Sequence, residues 1–582
     1  MSKKREFSEF NGGTGNNADI DVFFPEMVKW IQQNGGYVHP ALQMFVDDDD
    51  DNDDDDDDSK DQDQDQDYSK GISYRGIRIH QIMSNKRKSN ADSAGGTVAH
   101  EDATRLVMVS KDEVLVRIPM KCAVSGILEK KERRIQQQDN KESGKYNLIP
   151  ASPWLRCVRS LMKAKVQSSK ECEQDDGHGH SNFFTPYIRS LPKSYDTLLN
   201  WTDEELEGLR GTVLYDSIIH QSNILHTGAD FSISLHDDMY KAIRERWESL
   251  KEYLSADCEG ESKSTTDISQ FVWAIDSIST RGFHMQQSFQ SNDDDNDNGM
   301  IQNGDYYGPF MLPLIDLLNH CSTEDARKGA TLKQDPADGS FILCSDRDLF
   351  HGEELLHSYG NINSQQQLKT YGFVDVRRVV ETCSNTSCRR KCDFTPAIIN
   401  RSEVIDIARK VALEAFVKYE RFFENDGEIE FWDPSVCWDR KKDLCEKAPI
   451  NQSFLIPDHI VIRFDLININ EVLLTLICVL LLPLEAFEEF ISDPSFLDES
   501  ILEDPFLYHL ASAVCRELLK DKMSTYTGAS VTEDTKRLKQ NDQNPRSLFA
   551  RAIVLEEKIC IQCCLQRFSR KENITIQPTL IY

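Results

Sequence analysis

Apolar residues at Phe24, Met27, Val28 and Ile31 recur at helical spacing and stop at Gly35-Gly36, so residues 21 to 45 open with a short helix. The pattern then changes period. GISYRGIRIHQI and LVMVSKDEVLVRIPMKCAVS alternate apolar with polar residues and are rich in β-branched side chains, which predicts half-buried strands. From about residue 130 to 270 the spacing is helical again, in SPWLRCVRSLMKAK, TDEELEGLRGTVLYDSIIHQ and DDMYKAIRERWESLKEYL. Thr202 and Glu205 form a capping box at the start of the second of these. Strand signals return at Gly329 to Phe350, and beyond Asp375 the chain reads as almost wholly helical. The apolar run Val472 to Leu482 ends at Pro483 and is about half the length of a membrane span, so a buried helix is expected there.

Within these runs lie polar islands. Asn319-His320 follows the apolar PLIDLL, Tyr359-Gly360 closes HGEELLHSYG, and Tyr371-Gly372-Phe373 follows a glutamine-rich turn. A buried Asn, His or Tyr without a partner costs roughly 1–3 kcal/mol, so islands of this kind call for a function. The set resembles the SET-domain methyltransferases, and within them the split-SET class of the Rubisco large-subunit lysine methyltransferase.

That resemblance implies an α+β protein: a β-rich SET fold interrupted by a helical insert, followed by an all-α C-terminal domain. The expected divisions are a disordered N-terminus (1–20), an N-terminal SET segment (21–130), the insert (131–270), a C-terminal SET segment (271–380) and a helical substrate-binding domain (395–570). The stretch STYTGASVTEDTKRL resembles part of that last domain. The implied cofactor is S-adenosylmethionine. Tyr359 matches the catalytic tyrosine, and Tyr371 offers a second hydroxyl beside the amine. Asn319 and His320 match the pair that receives the cofactor, and Arg281, in QFVWAIDSISTRGF, matches the residue that reaches its carboxylate. A planar fork that is always charged suits a carboxylate. Asp316, read as one helical turn before Asn319, is expected at the same site, either holding it or touching a ligand. Phe373 is expected as an apolar wall beside the cofactor, and Phe283 as an aromatic wall of the substrate channel suited to a lysine stem. Ser73, Arg75 and Gly76 are the expected backbone contacts of the first segment, where Tyr74-Arg75-Gly76 keeps only the second glycine of the family's Gly-X-Gly turn. Ser84 to Glu101 is an inserted polar loop.

Charge narrows the partners. The net charge is −31, and residues 47 to 67, with fifteen Asp and one Lys, carry −14 of it, leaving −17 elsewhere. The acidic run is expected to be disordered, and the acidic remainder argues against a nucleic-acid binder. A lysine-bearing protein substrate, non-histone, fits better, with the protein a monomer and no membrane involved. Sixteen irregularly spaced cysteines and an N-terminus without a secretory apolar core indicate reduced thiols in the cytoplasm, with the nucleus as a second compartment. No metal is expected. Cys383, Cys388 and Cys392 lack the tight spacing of a SET zinc tail, His178 and His180 fall in a polar loop, and Cys560, Cys563 and Cys564 lie on an apolar helix face. The function expected is protein-lysine N-methylation. Histidine methylation and a catalytically inactive SET scaffold remain the alternatives.

Overall fold

The computed structural model describes residues 20–46, 75–80, 107–126, 152–173, 183–223, 235–255, 267–286, 306–322, 325–384, 395–423, 434–447, 459–462, 471–482, 484–492, 505–540 and 544–570. The acidic run, the inserted loop 84–101, Ser73, Tyr74, His178, His180, Cys388 and Cys392 lie outside these residues. Two compact units emerge, one built from 1–197, 241–362 and 370–372, the other from 198–240, 363–369 and 373–582.

The first unit opens with the helix Ile20–Gln33, as its spacing predicts, and Met27 and Ile31 are fully buried. It is followed by strands that the hydrophobic pattern does not reveal, β1 (Tyr37–Val38) and β2 (Leu42–Val46). Next come β3 (Arg75–Ile79), β4 (Val107–Val109), β5 (Val114–Ile118) and β6 (Val124–Ser125). The helices Pro153–Glu173 and Ile268–Arg281 pack together, with Lys165 over the Trp273 ring, and the latter buries Phe271, Ala274 and Ile278 at helical spacing, Phe271 against Trp247 at 5.4 Å. Strand structure then resumes well before residue 329, with β7 (Gly282–Gln286), β8 (Tyr306–Met311) and β9 (Asn319–His320) preceding β10 (Lys328–Gln334). The set ends with β11 (Phe341–Ser345), β12 (Leu349–Phe350) and β13 (Leu356–His357).

A six-stranded sheet runs in the order β1-β5-β11-β10-β13-β9. Every residue of β11 is buried, which matches its apolar run from Phe341 to Cys344 in the middle of the sheet. β13 lies parallel between β10 and β9, with His357 in register with His320 and with Ala330. A three-stranded sheet, β6-β8-β7, sets Phe283 opposite Phe310, and β2 pairs with β3.

The second unit is mainly helical. The capping box forms as read, with Thr202 accepting from the Glu205 amide, but the helix expected over TDEELEGLRGTVLYDSIIHQ is two helices, Asp203–Glu207 and Val213–Asn223. Between them Gly211 sits at φ +86°, a conformation that ends a helix. The run Val472 to Leu482 forms the buried helix Glu471–Leu481, and no described helix is long and apolar enough to cross a membrane. The last helix, Pro545–Arg570, carries Glu556, Glu557 and Lys558 into the interior. Each is matched. Glu556 accepts from the Thr395 amide and hydroxyl and from Ser364, Glu557 accepts from Tyr526 and the Val213 amide, and Lys558 meets Asp534 at 2.8 Å. Cys560 and Cys564 are buried there as expected, and Cys563 is half-buried.

Candidate active site

Five short segments of the first unit converge on a cleft of about 640 Å³. Arg281 reaches it from the end of its helix, Phe283 from β7, Asp316 from the turn before β9, Tyr359 from the chain after β13, and Tyr371 from the turn that follows. Five of the residues singled out in the sequence therefore line one cavity.

Tyr359 is fixed at both ends. Its amide donates to His320 Nδ1 at 3.1 Å, and its hydroxyl donates to the Leu318 carbonyl at 2.6 Å. A hydroxyl that has spent its proton on a carbonyl keeps its lone pairs for an incoming donor. Burial pushes this phenol well above its usual range, against the pull of Arg281 and with help from Tyr371, Asp316 and Glu354, so it stays neutral. Tyr371 lies with its ring 4.8 Å from that of Tyr359, and burial raises its phenol as well. Gly372 holds this turn at φ +77°, where a Cβ would come within 2.3 Å of the Asp196 carbonyl oxygen, so no larger residue fits behind Tyr371.

Asp316 is not on a helical face shared with Asn319 and His320. It sits in the 3₁₀ turn Ile315–Leu317, and Asn319 and His320 form β9, so the expected one-turn relation is replaced by a turn leading into a strand. The turn is entered through Leu314 at φ +68°, a strained conformation for a branched residue, held by complete burial. Asp316 Oδ2 accepts from the buried Tyr187 hydroxyl at 2.7 Å, while its backbone carbonyl accepts from Arg281 Nη1 at 2.6 Å. Burial pushes its carboxyl up to about 6 even with the Arg281 charge nearby. Arg281 also lies over the Tyr195 ring at 5.9 Å; burial works against its charge, and Tyr195 and Asp316 sustain it.

Two buried polar atoms on residues that line the cleft have no protein partner, Arg281 Nε and Asp316 Oδ1. One donates and the other accepts. Buried atoms of this kind in a cleft are available to a ligand, because each costs roughly 1–3 kcal/mol when left unmade. The pair suits the zwitterionic amino-acid end of a cofactor such as S-adenosylmethionine, whose carboxylate accepts and whose ammonium donates.

His320 stacks at 5.0 Å on Tyr359. Asn319 donates to Glu354 at 2.7 Å, and Gly76 on β3 comes so close that an added Cβ would lie 2.7 Å from the Phe45 ring and 3.0 Å from Asn319 Nδ2. The retained glycine of the first segment thus has a steric reason. Arg75 lies on β3 beside it. Phe373 belongs to the second unit and is half-buried. Tyr187, Tyr195 and His357 were not found from sequence. For the two tyrosines no local pattern distinguishes them from core residues. His357 did carry a signal, as a polar residue directly after the apolar pair Leu355-Leu356.

No family model matches the chain. The solved "Crystal structure of the SET domain of LSMT bound to Lysine and AdoHcy" superposes with a TM-score of 0.51 at 14% identity, covering 96% of this chain and 92% of that one. The "Structure of Rubisco LSMT bound to AdoMet" does so with the same score and identity over 95% and 92%. The chain has the SET fold. Among curated proteins, "N-lysine methyltransferase setd6" of Xenopus laevis is 25% identical over 289 residues, 49% of this chain and 52% of the relative. "Protein-lysine N-methyltransferase EFM1" of Saccharomyces cerevisiae is 22% identical over 234 residues, 37% of this chain and 38% of the relative. The chain spans about half the length, or less, of the curated relatives it matches.

Among the described residues no group of three or more His, Cys, Asp or Glu side chains could hold a metal. Cys383, the described member of the three cysteines compared with a SET zinc tail, is buried, and so is Cys321.

Proposed function

We propose that the protein is an S-adenosylmethionine-dependent protein-lysine N-methyltransferase acting on a non-histone protein. The observation that carries this reading is the Tyr359 hydroxyl, held by the Leu318 carbonyl and flanked by Tyr371 in a cleft whose wall is Phe283. When bound, S-adenosylmethionine supplies an electrophilic methyl group. The protein's part is to bring a neutral amine to it. Losing a proton at pH 7 costs a free lysine about 4–5 kcal/mol, from a pKa near 10.4. A dry channel lowers that cost by disfavouring the charged form, and oxygen acceptors then orient the amine. Tyr359 is the acceptor closest to this role and Tyr371 the second. Arg281, Asp316, Asn319, His320 and the backbone at Arg75 and Gly76 bind the cofactor in this reading.

The curated relatives carry the name of lysine methyltransferases, and the SET fold supports the same chemistry. The test is tritium transfer from labelled S-adenosylmethionine into a lysate of cells lacking the protein, followed by mass spectrometry of the labelled band. Methyl-lysine is expected. A methyl group on histidine refutes the lysine assignment, and no labelled band together with no cofactor binding by calorimetry favours an inactive scaffold.

Phe283 provides a separate check. Its ring offers an apolar face to a lysine stem and to an ammonium that becomes less hydrated with each methyl. Phe283→Asn is expected to slow transfer to lysine about tenfold, the worth of one cation–π and packing contact. An unchanged rate removes Phe283 from the channel.

A further inference from the structure

His357 lines the same cleft, between Phe283 and Tyr359, yet none of the roles above uses it. Its ring centroid lies 6.1 Å from Phe283 and 6.4 Å from Tyr359, and the residue is only 8% exposed. Nδ1 is 3.1 Å from the Ala330 carbonyl oxygen on the neighbouring strand. A carbonyl only accepts, so Nδ1 must carry the hydrogen. In a neutral imidazole the other nitrogen, Nε2, is then a bare acceptor. Burial holds the ring neutral by pushing its pKa below the usual value, aided by Lys328 and opposed by the Ala330 bond and by Asp346. An acceptor of fixed tautomer thus stands on the wall of a cleft proposed to take an amine.

We propose that His357 is a substrate-contacting residue, with Nε2 accepting a hydrogen bond from the ε-amino group of the target lysine. The inference rests on the lysine reading of the cleft and extends it. Tyr359 and His357 together give the amine two acceptors of different direction, which fixes its lone pair rather than only its distance. The contact also discriminates among products, because every methyl group added replaces one N–H, and a trimethylated lysine has none left to donate. His357 therefore favours the earlier methylation states.

Two substitutions separate this role from mere support of the strand. In His357→Asn the side-chain amide nitrogen takes the place of Nδ1 and keeps a donor for Ala330, while the Nε2 acceptor is lost. In His357→Gln the amide oxygen reaches the place of Nε2, while the Ala330 bond is lost. The experiment uses the full chain with labelled S-adenosylmethionine and a lysate of cells lacking the protein. It reads the initial rate into the labelled band, the methylation state by mass spectrometry, and the thermal midpoint of each variant. The expected result is that H357N keeps the wild-type midpoint, loses about tenfold in rate and shifts its product toward higher methylation. H357Q is expected to lose midpoint and keep most of the rate and the wild-type product distribution. H357N at the wild-type rate with an unchanged product, or rates that follow the midpoints alone, overturns the inference and leaves the lysine reading standing. If the wild type labels no band and binds no cofactor, the lysine reading falls and this inference falls with it.

Discussion

Tyr359→Phe is expected to bind S-adenosylmethionine as the wild type does and to lose at least about a hundredfold in methyl transfer. The substitution removes one oxygen and leaves the ring, so the stacks with His320 and Tyr371 and the amide bond to His320 survive. What disappears is the hydroxyl that is anchored on the Leu318 carbonyl and presents its lone pairs to the cleft. Losing a preorganised polar contact that acts on the reacting group costs a few kcal/mol in the transition state, which corresponds to the stated factor. The variant also leaves the Leu318 carbonyl without its donor, and that penalty appears in the thermal midpoint rather than in cofactor affinity. Calorimetry and single-turnover rates measured on the same preparation separate the two. A variant that turns over at the wild-type rate removes Tyr359 from the chemistry.

The residues of the proposed site that lie in Asn319-His320 and at Tyr359 were the most legible. Asn319-His320 and Tyr359 stand out because polar groups inside apolar runs need partners, and the structure supplies them: His320 takes the Tyr359 amide and Asn319 reaches Glu354. The local geometry between them was less legible. Spacing alone places Asp316 one helical turn from Asn319, but the chain passes through Leu314 at positive φ into a 3₁₀ turn and then a strand. Strands of two residues, such as β9 and β13, are too short to show a period of two, and their existence depends on partners distant in sequence. β8 breaks its alternation at Gly308-Pro309, and in β7 the alternation from Phe283 to Gln286 spans only four residues. The support of the site was not legible at all. Tyr187 sits under Asp316 and Tyr195 under Arg281, contacts that join positions far apart in the chain and leave no trace in either local pattern.

Asp276 lies in the helix that delivers Arg281, and replacing it with Asn is expected to stabilise the protein at pH 8 and to change little at pH 4. Its carboxyl is buried, with one hydrogen bond, from the Thr197 hydroxyl at 3.3 Å. Burial pushes it from 3.8 up to about 7, and the Thr197 bond only partly opposes the shift. The folded state therefore holds a proton that the unfolded chain releases near pH 4. Stability from this group is complete below that pH and is lost as pH rises through about 7, because ionisation in the folded state then has to occur in a dry site. A shift of this size corresponds to roughly 4 kcal/mol at most. The amide accepts the Thr197 bond as the acid does but never ionises, so the variant escapes the loss. Asp316 and Glu557, also raised, give slopes of the same sign in both proteins and cancel from the difference. The gap between variant and wild-type thermal midpoints should thus open between pH 4 and pH 7 and stay constant above about pH 8. A gap independent of pH over that range would mean that Asp276 is ionised in the folded protein throughout, with a cation or water reaching it that its buried position does not suggest.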